Sequence, residues 1–423
     1  MGVTSGVSAT AALQGVPLEL RPGVQALLFH VLRHLGCAQA LRRLLAPKSP
    51  PPEAGALLSV ALACCGKQGE ALYDAHTLVN QVVEAAKRSA RLRRHSAFFN
   101  GCLRRYLREQ SEWDAQIQRM ESAAWNYPDW WIDQVRQDYP EDWQGILRAG
   151  NLQPLMTLRV NVQHHTPRQY QEKLAKQGIK STLNGSYGLT LNQALPVHNI
   201  PGFTEGMVSV QDAAAQMAAP LLLEACRAMG CQGDLNVLDA CAAPGGKTAH
   251  LLELGGARVT ALEIDATRAA RIQDNLNRVR VSARTVVGDA SEPDTWFEGE
   301  PFDAILLDAP CTASGIVRRH PDIRWLRREA DLDHMALIQK KLFNRLWSLL
   351  KPGGCLLYCT CSIFKTEGED QVQAFLAHHT DARLLKSPGH LLPLALNSES
   401  VHPENAVIDH DGFYFALLHK LVG

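Results

Sequence analysis

The 423-residue sequence contains no Cys-x-x-Cys pair. Its 11 cysteines are odd in number and dispersed, and the Cys359-Thr360-Cys361 spacing has no second pair to complete four ligands. Both a structural zinc site and a disulfide framework are disfavoured on that ground. No stretch approaches the ~20 apolar residues that span a bilayer, and the apolar run 55–65 is short enough to read as a buried helix. Residues 1–20 lack the basic and compact apolar regions of a secretory leader. There is no internal repeat and no excess of either charge, with 43 Lys+Arg against 43 Asp+Glu. The expectation is a soluble, reduced, cytoplasmic monomer with no metal and no membrane partner. An apolar fraction of 46% and a charged fraction of 20% exclude wholesale disorder, and the length suits two to three domains.

The charge balance conceals an asymmetry. Residues 1–110 carry 14 Lys/Arg against 6 Asp/Glu, which points to an anionic partner met by one part of the chain. Residues 1–20 are small and polar and read as a flexible lead-in. Over 21–145 the pattern is helical: Val24, Leu27, Leu28, Val31 and Leu35 recur at spacings of three and four. The Pro50-Pro51-Pro52 run interrupts it, and helices resume over 54–65, 73–90 and 96–107 before a linker rich in tryptophan and proline. Within 87–108, Lys87, Arg88, Arg91, Arg93, Arg94, Arg104, Arg105 and Arg108 have no acidic residue among them. They form either a solvated face or a phosphate-binding surface. Residues 146–207, with a strand at 158–161 and a helix at 167–177, read as a small α/β subdomain. Residues 208–423 alternate strand and helix, the signature of a parallel, doubly wound sheet.

Ligands of such sheets sit beyond the carboxyl ends of the strands. After the first strand comes Asp239-Ala240-Cys241-Ala242-Ala243-Pro244-Gly245-Gly246-Lys247-Thr248. Its glycines admit close backbone approach, and the helix start offers free amides. It is neither the GxGxxG fingerprint nor a P-loop, so a dinucleotide or nucleoside triphosphate is disfavoured. The second strand ends at Glu263, placed for ribose hydroxyls; Asp265 suits a helix N-cap better. The third ends at Asp289, suited to an adenine amino group or a cap. An adenosine ligand without a pyrophosphate clamp points to S-adenosyl-L-methionine. The fourth and fifth strands end at Asp308-Ala309-Pro310-Cys311 and Thr360-Cys361-Ser362, which puts two cysteines on one cleft.

Three segments, DACAAPGGKT (239–248), LLDAPCTASGIVRRHPDI (306–323) and YCTCSIFKTEGED (358–370), resemble the motifs of RNA 5-methylcytosine methyltransferases. With a NusB-like helical region, the LRVN segment (158–161) and GFTEGMVSVQDAAAQ (202–216), nearly the whole chain after residue 20 resembles the RsmB (Sun/Fmu) family, which methylates cytosine 967 of 16S rRNA. The resemblance implies a multidomain chain: an all-α NusB-like N-terminal RNA-binding bundle, a small α/β RNA-binding linker subdomain, and a C-terminal α/β Rossmann-like S-adenosylmethionine methyltransferase domain.

It also implies roles. Cys361 is the nucleophile that adds to cytosine carbon 6, making carbon 5 enamine-like. Asp308 hydrogen-bonds the cytosine ring and touches the cofactor, and Cys311 assists proton removal and release of Cys361. The cofactor set falls on Cys241, Ala242, Ala243, Pro244, Gly245, Gly246, Lys247, Glu263, Asp289 and Asp308, with Lys247 biasing the field toward thiolate. Arg159, Arg318, Arg319 and Arg324, with His320, Arg327 and Arg328, are expected to grip phosphates around a flipped base. Three departures stand out: Glu263 where the family usually has aspartate, Thr312 where serine is common, and Cys359 where a small residue without sulfur is usual. Two other readings stay open, a non-catalytic assembly factor on the same fold and the same chemistry on tRNA or 23S rRNA. A nicotinamide oxidoreductase lacks its glycine fingerprint. Whether the partner is free 16S rRNA or a partly assembled small subunit is also left open.

Overall fold

The apolar stripe that begins at Val24 is realised as helix Arg21–Arg33, with Val31 and Leu32 buried and Val24 exposed at its first turn. The computed structural model describes residues 2–66, 73–393 and 409–422. The chain divides into two units, Met1–Leu152 with Val317–Glu329, and Gln153–Ile316 with Ala330–Gly423.

In the first unit, helices Leu35–Leu45, Pro52–Cys65, Ala75–Arg88 and Ser96–Arg108 close around Leu41, Leu58, Leu62, Phe99 and Leu103. The proline run works as punctuation. Pro51 and Pro52 fall at the N-cap and first helical position, where a missing N–H costs nothing. Two expectations are corrected here. The supposed lead-in contains helix Ala9–Gln14, capped by Ser8, and the Ala9 amide donates to Asp322 Oδ2 at 2.8 Å. The tryptophan-rich linker is also helical, over Gln110–Ile117, Glu121–Trp125, Asp129–Asp138 and Trp143–Asn151. Pro128 caps the third of these, whose Trp131, Ile132 and Val135 bury one face. The helical unit therefore runs past residue 145 to Leu152 and includes Val317–Glu329, a segment expected to lie at the catalytic cleft.

The second unit holds two sheets. Strands β1 (Met156–Val160), β2 (Ser181–Asn184), β3 (Gly188–Leu191) and β4 (Val208–Val210) form an antiparallel sheet in the order β2-β3-β1-β4. Helix Pro167–Ala175, closed by a Thr166/Gln169 capping box, packs on it. Because β4 pairs with β1, the small subdomain crosses the boundary expected at 207/208.

The large sheet comprises β5 (Leu235–Ala240), β6 (Ala257–Glu263), β7 (Arg284–Val287), β8 (Phe302–Asp308), β9 (Leu350–Thr360), β10 (Ala382–Leu391) and β11 (Phe413–Lys420), in the order β10-β11-β9-β8-β5-β6-β7. The five strands from β7 to β9 are parallel, whereas β11 is antiparallel to both β9 and β10. The sheet is thus mixed, not wholly parallel. Alternation along the strands feeds two cores. Leu238, Ile305, Leu307 and Leu356 meet Phe343, Leu346 and Phe375 on one face, while Val237, Leu306 and Leu357 meet Leu222 and Leu251 on the other. Strand order reverses between β5 and β8, which marks the cleft.

Candidate active site

Beyond β5, residues 241–245 turn sharply into helix Gly246–Leu254, with Gly245 at φ +92° as its N-cap. A Cβ there would sit 3.1 Å from the Ile272 Cα and strain the backbone, so the position requires glycine. Asp239 is fully buried beneath the turn and accepts from Thr248 Oγ1 at 2.5 Å; burial pushes its carboxyl up to about 7.

Glu263, at the end of β6, is 1% exposed and accepts from the Ala243 amide at 3.3 Å, the Asp265 amide at 3.2 Å and Arg268 Nη1 at 3.2 Å. Asp265 caps the next helix through the Arg268 amide at 2.9 Å, so capping and cleft roles separate onto the two acids. Asp289, beyond β7, accepts from the Ser291 amide at 2.8 Å. A cavity of about 490 Å³ is lined by Cys241, Glu263, Asp289, Asp308, Cys311 and Cys361 among others. Ala243 also lines it, whereas Ala242, Pro244, Gly245, Gly246 and Lys247 build the turn and helix start behind it. That volume suits a nucleoside-sized ligand.

Lys247 Nζ stands 2.6 Å from Asp308 Oδ2. Burial works against the ammonium charge, but the Asp308 carboxylate outweighs it and holds Lys247 protonated. The other Asp308 oxygen accepts from Cys359 Sγ at 3.5 Å. Cys359 is buried, and burial together with the Asp308 charge pushes its thiol well up, so it serves as a neutral donor. It lies on β9, one strand residue short of the turn, whereas Cys361 lies past the strand end and lines the cavity. Cys361 Sγ and Cys311 Sγ approach to 3.4 Å. The hydrogen bond to Cys361, with burial next, raises the Cys311 thiol well above its usual range. Cys311 therefore stays a neutral thiol beside Cys361.

Sequence reasoning missed Glu367. Its buried carboxylate accepts from the Thr312 amide at 2.7 Å, from Ser362 Oγ at 2.6 Å and from Thr312 Oγ1. The only hint was its place within the segment 358–370 that carries Cys361.

The arginines expected to grip RNA need correcting. Arg159 is 1% exposed; it pairs with Glu253 at 2.7 and 3.0 Å and donates to the Gly246 carbonyl at 2.7 Å. Arg324 is 0% exposed within the helical unit, donating to the Gly150 carbonyl at 2.7 Å and to Asn151, with its guanidinium 3.9 Å from the Tyr127 ring. Arg318 is also buried there, its carbonyl accepting from Arg33 at 2.7 Å. The guanidinium groups of Arg159 and Arg324, so enclosed, serve the interior and have no face for phosphate. Arg319 is half-buried and Arg328 exposed. The eight basic residues of 87–108 are all exposed, but acids just outside the run or elsewhere in the sequence offset part of it: Glu84 pairs with Lys87, Glu53 with Arg91, and Glu109 with Arg105 and Arg108.

Among the described residues no helix is long and apolar enough to cross a membrane, and no group of three His, Cys, Asp or Glu is clustered to hold a metal. The family described as 16S rRNA methyltransferase RsmB/F matches residues 228–419, and the RsmF/B-like ferredoxin-like domain matches residues 127–198. Ribosomal RNA small subunit methyltransferase B of Vibrio cholerae is 40% identical over 99% of this chain and 94% of its own length. The Vibrio vulnificus protein of the same name is 39% identical, over 99% and 96%. Among solved structures, PH0851 superposes with a TM-score of 0.73 at 25% identity, covering 96% of this chain and 91% of its own. A methyltransferase homologue from Pyrococcus horikoshii shares the fold, with a TM-score of 0.57 at 24% identity, over 71% of this chain and 97% of its own. Identity at this level over almost the entire length is decisive: the chain belongs to the ribosomal RNA small subunit methyltransferase B family and is a methyltransferase.

Proposed function

We propose that the chain is an S-adenosylmethionine-dependent RNA methyltransferase that forms 5-methylcytosine in 16S rRNA, at cytosine 967, through a covalent cysteine–cytosine adduct. The observation that carries this reading is the 3.4 Å approach of two cleft thiols beside Asp308, on a cavity that also contains Glu263 and Asp289.

The residues fit the cofactor. Glu263 offers oxygens for ribose hydroxyls, Asp289 an acceptor for an adenine amino group, and the Gly245-Gly246 turn close backbone approach. S-adenosylmethionine, when bound, supplies a sulfonium methyl group. The protein's task is to make carbon 5 of cytosine nucleophilic. Cys361, as thiolate, adds to carbon 6, and Asp308 hydrogen-bonds the ring as charge redistributes. Bonding Cys361 to carbon removes the sulfur partner that held Cys311 protonated. Cys311 then releases its proton to water and accepts the one from carbon 5 once that carbon is methylated. The electron pair of the carbon–hydrogen bond restores the 5,6 double bond, and the carbon–sulfur bond breaks to return Cys361 as thiolate. The base must leave its stack for this addition. Arg319, Arg328 and the exposed basic residues of 87–108 supply phosphate contacts, which provide affinity without base choice.

The test is transfer of labelled methyl to unmethylated 16S rRNA, 23S rRNA and tRNA, with the modified base mapped. A single 5-methylcytosine at position 967 is expected. Labelling confined to tRNA or 23S rRNA would overturn the substrate, and binding of RNA and cofactor without transfer to any RNA would favour the assembly-factor reading.

A further inference from the structure

The two cysteines of the cleft lie on different loops, one after β8 and one after β9, and their separation is set by something other than the strands. Glu367 reaches both loops. Oε1 accepts from the Thr312 amide at 2.7 Å and from Gln339 Nε2 at 3.2 Å, and Oε2 accepts from Ser362 Oγ at 2.6 Å and from Thr312 Oγ1. Thr312 follows Cys311, and Ser362 follows Cys361. Gln339 also donates to the Pro310 carbonyl at 2.9 Å, so the groups on both sides of Cys311 are held by one carboxylate and one amide.

The carboxylate is in turn pinned to β9. The Glu367 carbonyl accepts from Tyr358 Oη at 2.8 Å and Thr360 Oγ1 at 3.3 Å. Two direct ties complete the junction, Ser314 Oγ to Ser362 Oγ at 2.8 Å and the Gly315 amide to the Cys361 carbonyl at 2.9 Å. Between them Ala313 is kept at φ +60°, a conformation an alanine leaves unless its surroundings dictate it. Glu367 is 0% exposed, pairs with no Lys or Arg among the described residues and does not line the cavity. A purely apolar residue would fill the volume but would leave several buried donors unmet.

We propose that Glu367 is a positioning residue that locks the Cys311 loop to the Cys361 loop and so sets the distance between the two thiols. The proposal deepens the cysteine-adduct reading and rests on it. Its carboxylate touches no reacting atom; it acts through Thr312 and Ser362. Burial pushes the Glu367 carboxyl up, against the hydrogen bonds from Ser362, Thr312 and Gln339, and its charge, when ionised, contributes to holding the Cys311 thiol protonated.

The test uses the full-length protein carrying Glu367→Gln, Glu367→Asp, Ser362→Ala or Gln339→Leu. Single-turnover methyl transfer, KM for RNA, cofactor affinity and the pH profile of alkylation at Cys311 and Cys361 are measured for each. Misplacement of a reacting group by about an ångström costs on the order of 100-fold. Glu367→Gln is therefore expected to lower kcat about 30- to 100-fold with KM and cofactor affinity within about twofold, and to move the Cys311 alkylation midpoint to lower pH. Glu367→Asp keeps the charge but lacks the reach, so the midpoint stays while kcat remains depressed at least about tenfold. Ser362→Ala and Gln339→Leu, each removing one donor, lower kcat about three- to tenfold.

A Glu367→Gln protein with kcat within threefold of wild type, or with an unmoved Cys311 midpoint, overturns the proposal. If Glu367→Gln does not fold, unchanged kcat in both Ser362→Ala and Gln339→Leu overturns it instead. Cys361→Ala separates the two ideas. Methyl transfer that survives in Cys361→Ala sinks the adduct reading, while an inactive Cys361→Ala beside a fully active Glu367→Gln sinks the clamp alone.

Discussion

Replacing Arg159 with methionine tests whether this arginine serves the interior or RNA. The guanidinium is bonded to both Glu253 oxygens, at 2.7 and 3.0 Å, to Gln211 Oε1 at 2.5 Å and to the Gly246 carbonyl at 2.7 Å, and both charged side chains are 1% exposed. Removing it leaves the Glu253 carboxylate buried without a counter-charge, which costs about 3–5 kcal/mol. For a unit of this size each kcal/mol moves the melting temperature by roughly 2–4 °C. Arg159→Met should therefore lower the transition of the second unit by about 6–20 °C, read by calorimetry. The double variant Arg159→Met/Glu253→Leu removes both charges together and should recover most of the loss. RNA affinity measured against salt concentration should keep its slope in folded protein, because no phosphate contact is lost. A single variant that melts within about 1 °C of wild type while its salt slope falls by about one phosphate contact, roughly 0.7 for single-stranded RNA, would refute the reasoning.

Two further perturbations follow from the site's construction. The Asp239 carboxyl is raised by burial from 3.8 to about 7, so its contribution is fully present below pH 3.8 and lost as pH rises through about 7. The loss amounts to about 4 kcal/mol by linkage. Asp239→Asn, which keeps an acceptor for Thr248, should gain stability relative to wild type between pH 5 and pH 8; parallel urea midpoints across that range would contradict the burial argument. At Gly315 a Cβ would overlap the Gly412 carbonyl oxygen, so Gly315→Ala should displace the turn that hydrogen-bonds Cys361 and lower kcat at least tenfold with some loss of stability. A wild-type rate in that variant would show that the turn yields without moving the cysteine.

The site was legible where chemistry and strand order coincide. The Gly245-Gly246 turn, Glu263, Asp289, Asp308 and Cys361 could be placed because a doubly wound sheet brings its strand ends together whatever the loops do. Charge was a poor guide to exposure. Arg159 and Arg324 read as RNA contacts because sequence reports their charge and conceals Glu253 and Tyr127, the partners that let them be buried. Glu367 was invisible for a related reason, since its partners Thr312 and Gln339 come from other elements. The antiparallel edge escaped notice because β10 lacks an apolar alternation, its Leu384 being 42% exposed. In the tryptophan-rich segment expected to be a linker, Pro128 stands at the N-cap of a helix, where proline is compatible with helical structure.

The most direct test of the adduct is to trap it. If Cys311 carries away the carbon 5 proton and Cys361 forms the bond, Cys311→Ala incubated with 16S rRNA and S-adenosylmethionine should accumulate a denaturant-resistant protein–RNA complex. Mass spectrometry should place the link on Cys361. Cys361→Ala and the double variant should give no such complex. A link found on Cys311 in Cys361→Ala, or no complex with Cys311→Ala despite bound RNA and cofactor, would contradict the assignment of the two thiols.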